Sequence, residues 1–123
     1  MGINELLEQA FNDMIDGLSA KKIQEELLDI KKEHEMLPYD MIIEDFLTMC
    51  FNKYEDISAK RVMSSIIKNQ PEFASEITEG IIRACYLSDN NDFAVSVIAN
   101  SVKQNLTISF KIIDTFMKFY SLN

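Results

Sequence analysis

The chain has 123 residues, 47% of them hydrophobic and 26% charged, and a formal net charge of −8. This length suits one domain with a modest core, and three glycines and two prolines are too few for the turns of a β protein. The acidic charge disfavours nucleic-acid and anionic-membrane partners, because both bind through lysine and arginine, and it favours basic protein partners.

Apolar residues recur at helical spacing along the whole chain. The pattern predicts helices over residues 4–16, 20–34, 39–53, 57–69, 72–87, 92–104 and 108–121. The expected N-terminal capping residues are Asn4, Ser19, Asp56 and Thr107. Gly17 is an expected stop after the first helix. Pro38 and Pro71 separate neighbouring helices, because proline cannot continue the helix before it but suits the first turn of the next.

Two segments of the chain align with a fixed offset of 35 residues. The matched pairs include Phe46 with Ile81, Leu47 with Ile82, Cys50 with Cys85, Ala59 with Ala94 and Val62 with Val97. A period of this length with helical spacing inside it is typical of helical-hairpin arrays. We therefore predict an all-α fold, a right-handed stack of three to four antiparallel helical hairpins with about seven helices. It forms a single domain, with a degenerate hairpin at 3–35, hairpins at 38–70 and 71–105, and a C-terminal helix at 107–121.

The two aligned units resemble the pentatricopeptide- and tetratricopeptide-type helical hairpins. Each opens with an apolar dipeptide and places an alanine where its helices cross; these are Phe46-Leu47 with Ala59, and Ile81-Ile82 with Ala94. In the pentatricopeptide family a side chain two residues before the dipeptide reads an RNA base. Here the resemblance places Glu44, Glu79 and Asp114 at that position. Carboxylates repel phosphates, so we predict an acidic stripe that docks a basic partner segment; the alternative is a solvated polar edge.

A second resemblance covers about one hairpin. The segment MLPYDMIIEDFLTMCFNKYEDISAKRVMSSIIK at 36–68 is similar in layout to the helical-repeat matrix subunit, of the Va type, of cytochrome c oxidase. Both have a proline-containing loop, a helix rich in Ile and Glu, a turn containing Asp, and a helix of the form Ala-x-Arg-Val. That subunit is small, acidic and non-catalytic, and it packs on the outside of a large complex. The resemblance implies a structural subunit and, as one compartment, the mitochondrial matrix.

The predicted last helix is rich in aromatic residues. These are Phe110, Phe116, Phe119 and Tyr120. A free helical array needs a polar outer face on its terminal repeat. We therefore expect a partner to cover this end of the chain.

The sequence offers no catalytic or metal-binding group. His34 ends a charged helix and is expected at the surface, and a zinc site would need several Cys or His residues at short spacing. Cys50 and Cys85 are expected to be buried small hydrophobic residues. The carboxylate pairs at 25–26 and 44–45 are expected to keep unshifted pKa values, because the sequence gives them no apolar, concave surroundings. We predict no cofactor, no metal and no enzymatic activity.

These patterns favour a non-catalytic protein–protein interaction module, an accessory or structural subunit of a larger complex of the respiratory or ribosomal kind. Its partner would present a basic or apolar docking face. The alternatives are an RNA-binding pentatricopeptide-like protein and an acidic inhibitor or immunity-type protein that blocks a basic enzyme. The N-terminus MGINELLEQ lacks the basic region and apolar core of a secretory signal. We expect a chain that is not secreted and not membrane-inserted, in the cytoplasm or the mitochondrial matrix.

Overall fold

The computed structural model describes residues 2–103 and 117–118, apart from the side chains of residues 98 and 100–103. The helices are α1 (Ile3–Ile15), α2 (Ala20–Glu33), α3 (Tyr39–Asn52), α4 (Asp56–Asn69), α5 (Ala74–Leu87) and α6 (Asn91–Lys103). A short 3-10 turn, Pro71–Phe73, leads into α5. The described part of the chain contains no strand, so the all-α prediction is confirmed. The predicted seventh helix and its cap Thr107 lie outside the described residues.

The helix starts follow the predicted caps in part. The Ser19 side chain accepts a hydrogen bond from the Lys22 backbone N–H at 3.2 Å, as expected of an N-cap. The first and fourth helices differ from the prediction, because Gly2 rather than Asn4, and Glu55 rather than Asp56, stand at their N-cap positions. Each predicted cap lies in the first turn instead.

The helices α1, α3 and α5 end in the same way. The second residue after each helix has a positive φ; these are Gly17 (φ 99°), Tyr54 (φ 59°) and Asp89 (φ 54°). The next backbone N–H then bonds back five residues, from Leu18 to Asp13 (3.0 Å), from Glu55 to Cys50 (2.9 Å) and from Asn90 to Cys85 (2.8 Å). This arrangement is the Schellman motif, in which the residue at positive φ is usually glycine. Tyr54 and Asp89 are 35 residues apart, which is the offset of the sequence repeat.

The helices pack against neighbours both one and two positions along the chain. Besides sequential pairs, α1 contacts α3, α2 contacts α4, α3 contacts α5 and α4 contacts α6. The most extensive of these interfaces joins α3 and α5. Such contacts are those of helix pairs stacked side by side; the right-handed twist of the stack stays a prediction. Because α3 has neighbours on several sides, its apolar residues are buried almost all round, as its sequence predicted.

The interface between α3 and α5 is closest at Gly80. A Cβ atom at this position would overlap the carbonyl oxygen of Asp40 and lie 3.1 Å from the Asp40 Cα. Two helices approach this closely only where one of them has no side chain. Ala59 and Ala94, which the sequence placed at crossings, are also buried. The close contact at Gly80 therefore joins two neighbouring hairpins rather than the two helices of one hairpin.

The start of α3 is held by the segment that begins α5. The Tyr39 backbone N–H donates to the Glu76 carboxylate at 2.8 Å, and its hydroxyl donates to the Gln70 side-chain oxygen at 3.4 Å. The Tyr39 ring meets the Phe73 ring edge to face, with centroids 5.1 Å apart. Burial, with the nearby Glu76 charge, raises the pKa of Tyr39, so its hydroxyl stays protonated. Pro38 stands at the N-cap position of α3 and makes no capping hydrogen bond with its side chain. Glu76, on the next hairpin, accepts the bond from the first turn of α3 instead.

Candidate interaction surface

Two members of the predicted acidic stripe, Glu44 and Glu79, lie beside one arginine. Arg83 on α5 bonds Asp40 of α3 (Nη2 to Oδ2, 2.6 Å) and Glu44 of α3 (Nε to Oε1, 2.5 Å). It also reaches Glu79, one turn earlier on α5, at 3.3 Å. Burial alone would lower the pKa of Arg83, but the hydrogen bonds and charges of Glu44 and Asp40 outweigh it and raise that pKa. The guanidinium therefore stays charged.

The structure brings Glu44 and Glu79 together, as their shared repeat position implied. Three carboxylates share one guanidinium, so this cluster keeps two negative charges. Its four side chains are each between 16% and 24% exposed, so it is a half-buried contact between α3 and α5. Arg83 was not among the residues predicted from the sequence. Its spacing of four residues from Glu79 was a visible signal, whereas its approach to α3 depends on the packing of the two helices.

A second surface lies at the turns that connect α3 to α4 and α5 to α6. Three large apolar side chains stand out into solvent there: Tyr54 is 91% exposed, Ile57 73% and Leu87 68%. We call these three residues the hairpin-tip surface. Tyr54 follows α3, Ile57 lies in the first turn of α4 and Leu87 ends α5, so two consecutive hairpins contribute to the surface. These residues could not be singled out from the sequence, because Tyr54 lies in a turn and Ile57 and Leu87 lie at helix ends, where the periodic pattern does not show which side chains are exposed.

The two tips form one continuous surface. Tyr54 and Leu87 line the same shallow cavity of about 390 Å³. The Asn90 side chain donates to the Asp56 carboxylate at 2.9 Å and ties the second tip to the first. The residues at 51–57 and 86–92 carry four carboxylates and one lysine, so the apolar centre has an acidic rim. An apolar centre with a charged rim is the usual anatomy of a protein interface.

The aromatic residues predicted to dock a partner at the C-terminal end lie outside the described residues. They are Phe110, Phe116, Phe119 and Tyr120. Asp114, the third member of the acidic stripe, lies outside them as well. Their role stays a prediction from the sequence.

Cys50 and Cys85 are both free and buried, as expected. Burial, with lesser contributions from nearby carboxylates, raises the pKa of each thiol to about 12. Such thiols are poor nucleophiles and poor metal ligands at neutral pH.

Two carboxylates overturn the expectation of unshifted pKa values. Burial and the neighbouring Asp13 carboxyl raise the pKa of Glu26 to about 7. Burial, with the adjacent Glu44 charge, also raises the pKa of Asp45. Sequence alone missed the shift of the Glu26 pKa, because the burial of Glu26 against α1 depends on tertiary packing. Glu26 contacts α1 from α2 and lines none of the grooves described here.

No group of three or more His, Cys, Asp or Glu side chains within the described residues could hold a metal ion. His34 is half-buried at the end of α2, and its Nε2 has no hydrogen-bond partner among them. None of the helices in the described part of the chain is both long and apolar enough to cross a membrane.

Comparison with known proteins returns no match: neither a protein-family model, nor a curated protein, nor a solved structure is similar to this chain.

Proposed function

We propose that this chain is a non-catalytic helical module that binds another protein through its hairpin-tip surface. On this proposal it serves as an accessory subunit or adaptor in a larger assembly. The observation that carries the proposal is Tyr54. Its backbone is held at φ 59°, and its ring is 91% exposed.

A tyrosine at this position is unfavourable for the isolated chain. The left-handed conformation costs a residue with a side chain about 1 kcal/mol or more, and glycine avoids most of that cost. Gly17 occupies the same position after α1. The exposed ring recovers little of the cost by burial within the chain. Binding would account for the tyrosine, because tyrosine is enriched among residues that contribute most to interfaces.

The surroundings of Tyr54 define the partner's chemistry. Its ring and Leu87 would enter an apolar pocket on the partner, while the acidic rim around them would face basic residues. The acidic cluster around Arg83 would extend this preference for a basic surface, since it keeps two negative charges. The identity of the assembly, respiratory, ribosomal or other, rests on the sequence resemblance alone.

The experiment compares three tagged proteins in affinity capture from the native cell at low and high salt. They are the wild type, Tyr54→Asn combined with Leu87→Asn, and the control Met36→Asn. Asparagine tolerates the positive φ of position 54, and Leu87 is exposed, so the double variant is expected to keep the fold. Met36 is 95% exposed in the connection before α3, away from the tips. We expect the wild type and the control to recover the same partner in stoichiometric amount. With the purified partner, the double variant should bind about 30-fold more weakly or worse.

Equal recovery of the partner by all three proteins would refute docking at the hairpin tips. Recovery of RNA instead of protein would favour the RNA-binding alternative. A single basic protein that is released at high salt would favour the acidic-inhibitor alternative, because such complexes weaken steeply as ionic strength rises.

A further inference from the structure

One face of this acidic protein is basic. Helix α4 carries no carboxylate after its first residue, Asp56, yet it carries three cations. They are Lys60, Arg61 and Lys68, all exposed. Helix α2 shows the opposite pattern, since Lys21 and Lys22 are followed four residues later by glutamates with which they can pair. On α4, Lys60 follows Asp56 by four residues, but Arg61 and Lys68 have no carboxylate three or four residues away on their own helix.

These three cations line a groove between α4 and α6. Its volume is about 590 Å³, and Ser96 lines it from the α6 side. That volume lies within the range of small-ligand sites, roughly 300–1,000 Å³. The other lining residues come from α4 and are serine or asparagine, so the groove offers hydrogen-bond donors without any acidic side chain.

One wall of the groove is fixed in place. The Ser65 hydroxyl donates to the buried Gln24 side-chain oxygen of α2 at 2.6 Å. The Asn69 amide donates to the same oxygen and to Ser65, each at 3.2 Å. These bonds join α2 to α4 and hold the helix that presents the cations.

The spacing of the donors suits a compact anion. Lys60, Ser64 and Lys68 stand four residues apart, so they share one face of the helix. The two lysines are about 12 Å apart along the axis, with Ser64 midway between them. Their long side chains can converge on an anion above the Ser64 hydroxyl, and Arg61 adds a planar donor that matches phosphate oxygens.

We infer that this groove binds a phosphate group, carried either by a small molecule or by a phosphorylated side chain. A long polyanion fits the surface less well. Its phosphates beyond the groove would lie against the rest of a chain whose net charge is −8 and would be repelled. A single phosphate group stays within about one Debye length, roughly 8 Å, of the three cations. The site is separate from the hairpin-tip surface and does not depend on the proposed function.

The test is a titration of the full ¹⁵N-labelled chain, followed by amide chemical shifts at constant ionic strength. The probes are inorganic phosphate, pyrophosphate and a short phosphoserine peptide, with sodium chloride as the reference salt. We expect saturable shifts confined to residues 60–69 and 96. Tighter binding of the peptide would indicate a protein-borne phosphate, and tighter binding of pyrophosphate a small-molecule ligand; either result supports the site.

The matched variants carry the same change in net charge. Lys60→Gln with Lys68→Gln removes two groove cations, whereas Lys21→Gln with Lys22→Gln removes two exposed cations of α2. All four positions are exposed, so both variants are expected to fold, which thermal unfolding would check. The groove variant should bind at least about tenfold more weakly, and the α2 variant should bind like the wild type.

Three results would overturn the inference. The first is a set of linear, non-saturating shifts that sodium chloride reproduces. The second is an equal loss of binding in both double variants, which would show a general charge effect. The third is an RNA oligonucleotide that binds more tightly than every phosphate probe and shifts amides well beyond the groove.

Discussion

Replacing Gly80 with alanine separates two opposite expectations. By helix propensity alone, alanine inside α5 should stabilise the protein by about 1 kcal/mol. The structure predicts the reverse. The new Cβ would overlap the Asp40 carbonyl oxygen and lie 3.1 Å from two further backbone atoms of Asp40, where about 3.5–4.0 Å is comfortable. Backbone atoms cannot rotate away, so α3 and α5 must move apart.

Overpacking of this kind costs about 1–3 kcal/mol, and parting the helices also weakens the packing of the buried residues beside the crossing, Ile77 and Ile81. We expect a net loss of about 2 kcal/mol in the free energy of unfolding. For 123 residues the entropy of unfolding is about 0.26 kcal/mol/K, so Tm should fall by about 8 °C.

The assay is urea unfolding, read as a lower midpoint with an unchanged slope. Gly80→Ser should lose at least as much stability as Gly80→Ala. The control Val95→Ala, at a position of α6 that is 54% exposed, should change stability by no more than about 0.5 kcal/mol. A Gly80→Ala protein as stable as the wild type, or more stable, would refute the close crossing of α3 and α5.

Further predictions concern charge and thiols. Arg83→Met removes the cation that three neighbouring carboxylates share and should lower the unfolding free energy by about 1–2 kcal/mol. Added salt should restore part of that loss, whereas the exposed Arg61→Met should change little in the same denaturation assay. The pKa of Glu26 is raised from 4.5 to about 7, so the folded state binds this proton more tightly than the unfolded chain does. Its favourable contribution is complete below pH 4.5 and is lost as pH rises through 7. Glu26→Gln should therefore exceed wild-type stability by about 1 kcal/mol at pH 8 and match it at pH 5. Cys50 and Cys85, whose pKa values burial raises to about 12, should resist an aromatic disulfide reagent at pH 8 until the protein unfolds.

Each of these predictions has a contrary result. Equal losses from Arg83→Met and Arg61→Met would show that the ion cluster does not stabilise the interface of α3 and α5. A stability difference between wild type and Glu26→Gln that stays constant from pH 5 to pH 8 would contradict the shifted pKa. Rapid labelling of either thiol in the folded protein would contradict its burial.

Periodicity was sufficient to predict the six α-helices of the described residues and much of their core. The 35-residue offset placed Cys50 and Cys85 at equivalent buried positions, and both are buried. The same offset relates Tyr54 to Asp89, whose backbones share the left-handed conformation. Aspartate tolerates that conformation, but tyrosine gives no sequence signal for it, so the strained turn at Tyr54 could not be predicted.

The relations between helices were harder to obtain from the sequence. Gly80 looks like a weak point inside a helix until the position of Asp40 is known. Likewise the repeat placed Glu44 and Glu79 at equivalent positions, but it did not indicate the arginine that both of them contact. Arg83 stands 35 residues after Thr48, so the repeat aligns it with an uncharged residue and gives no hint of its partners on α3.

The bond between Tyr39 and Glu76 makes adjacent hairpins depend on each other for more than packing. Helix α3 obtains its cap from a carboxylate on α5, a helix that forms 35 residues later along the chain. A chain ending at Asn69 would lose this cap together with the interface of α3 and α5. During synthesis, α3 would therefore start to fray until α5 has emerged and docked. The second and third hairpins should accordingly unfold as one cooperative unit, and native-state hydrogen exchange of their amides should report a common opening free energy.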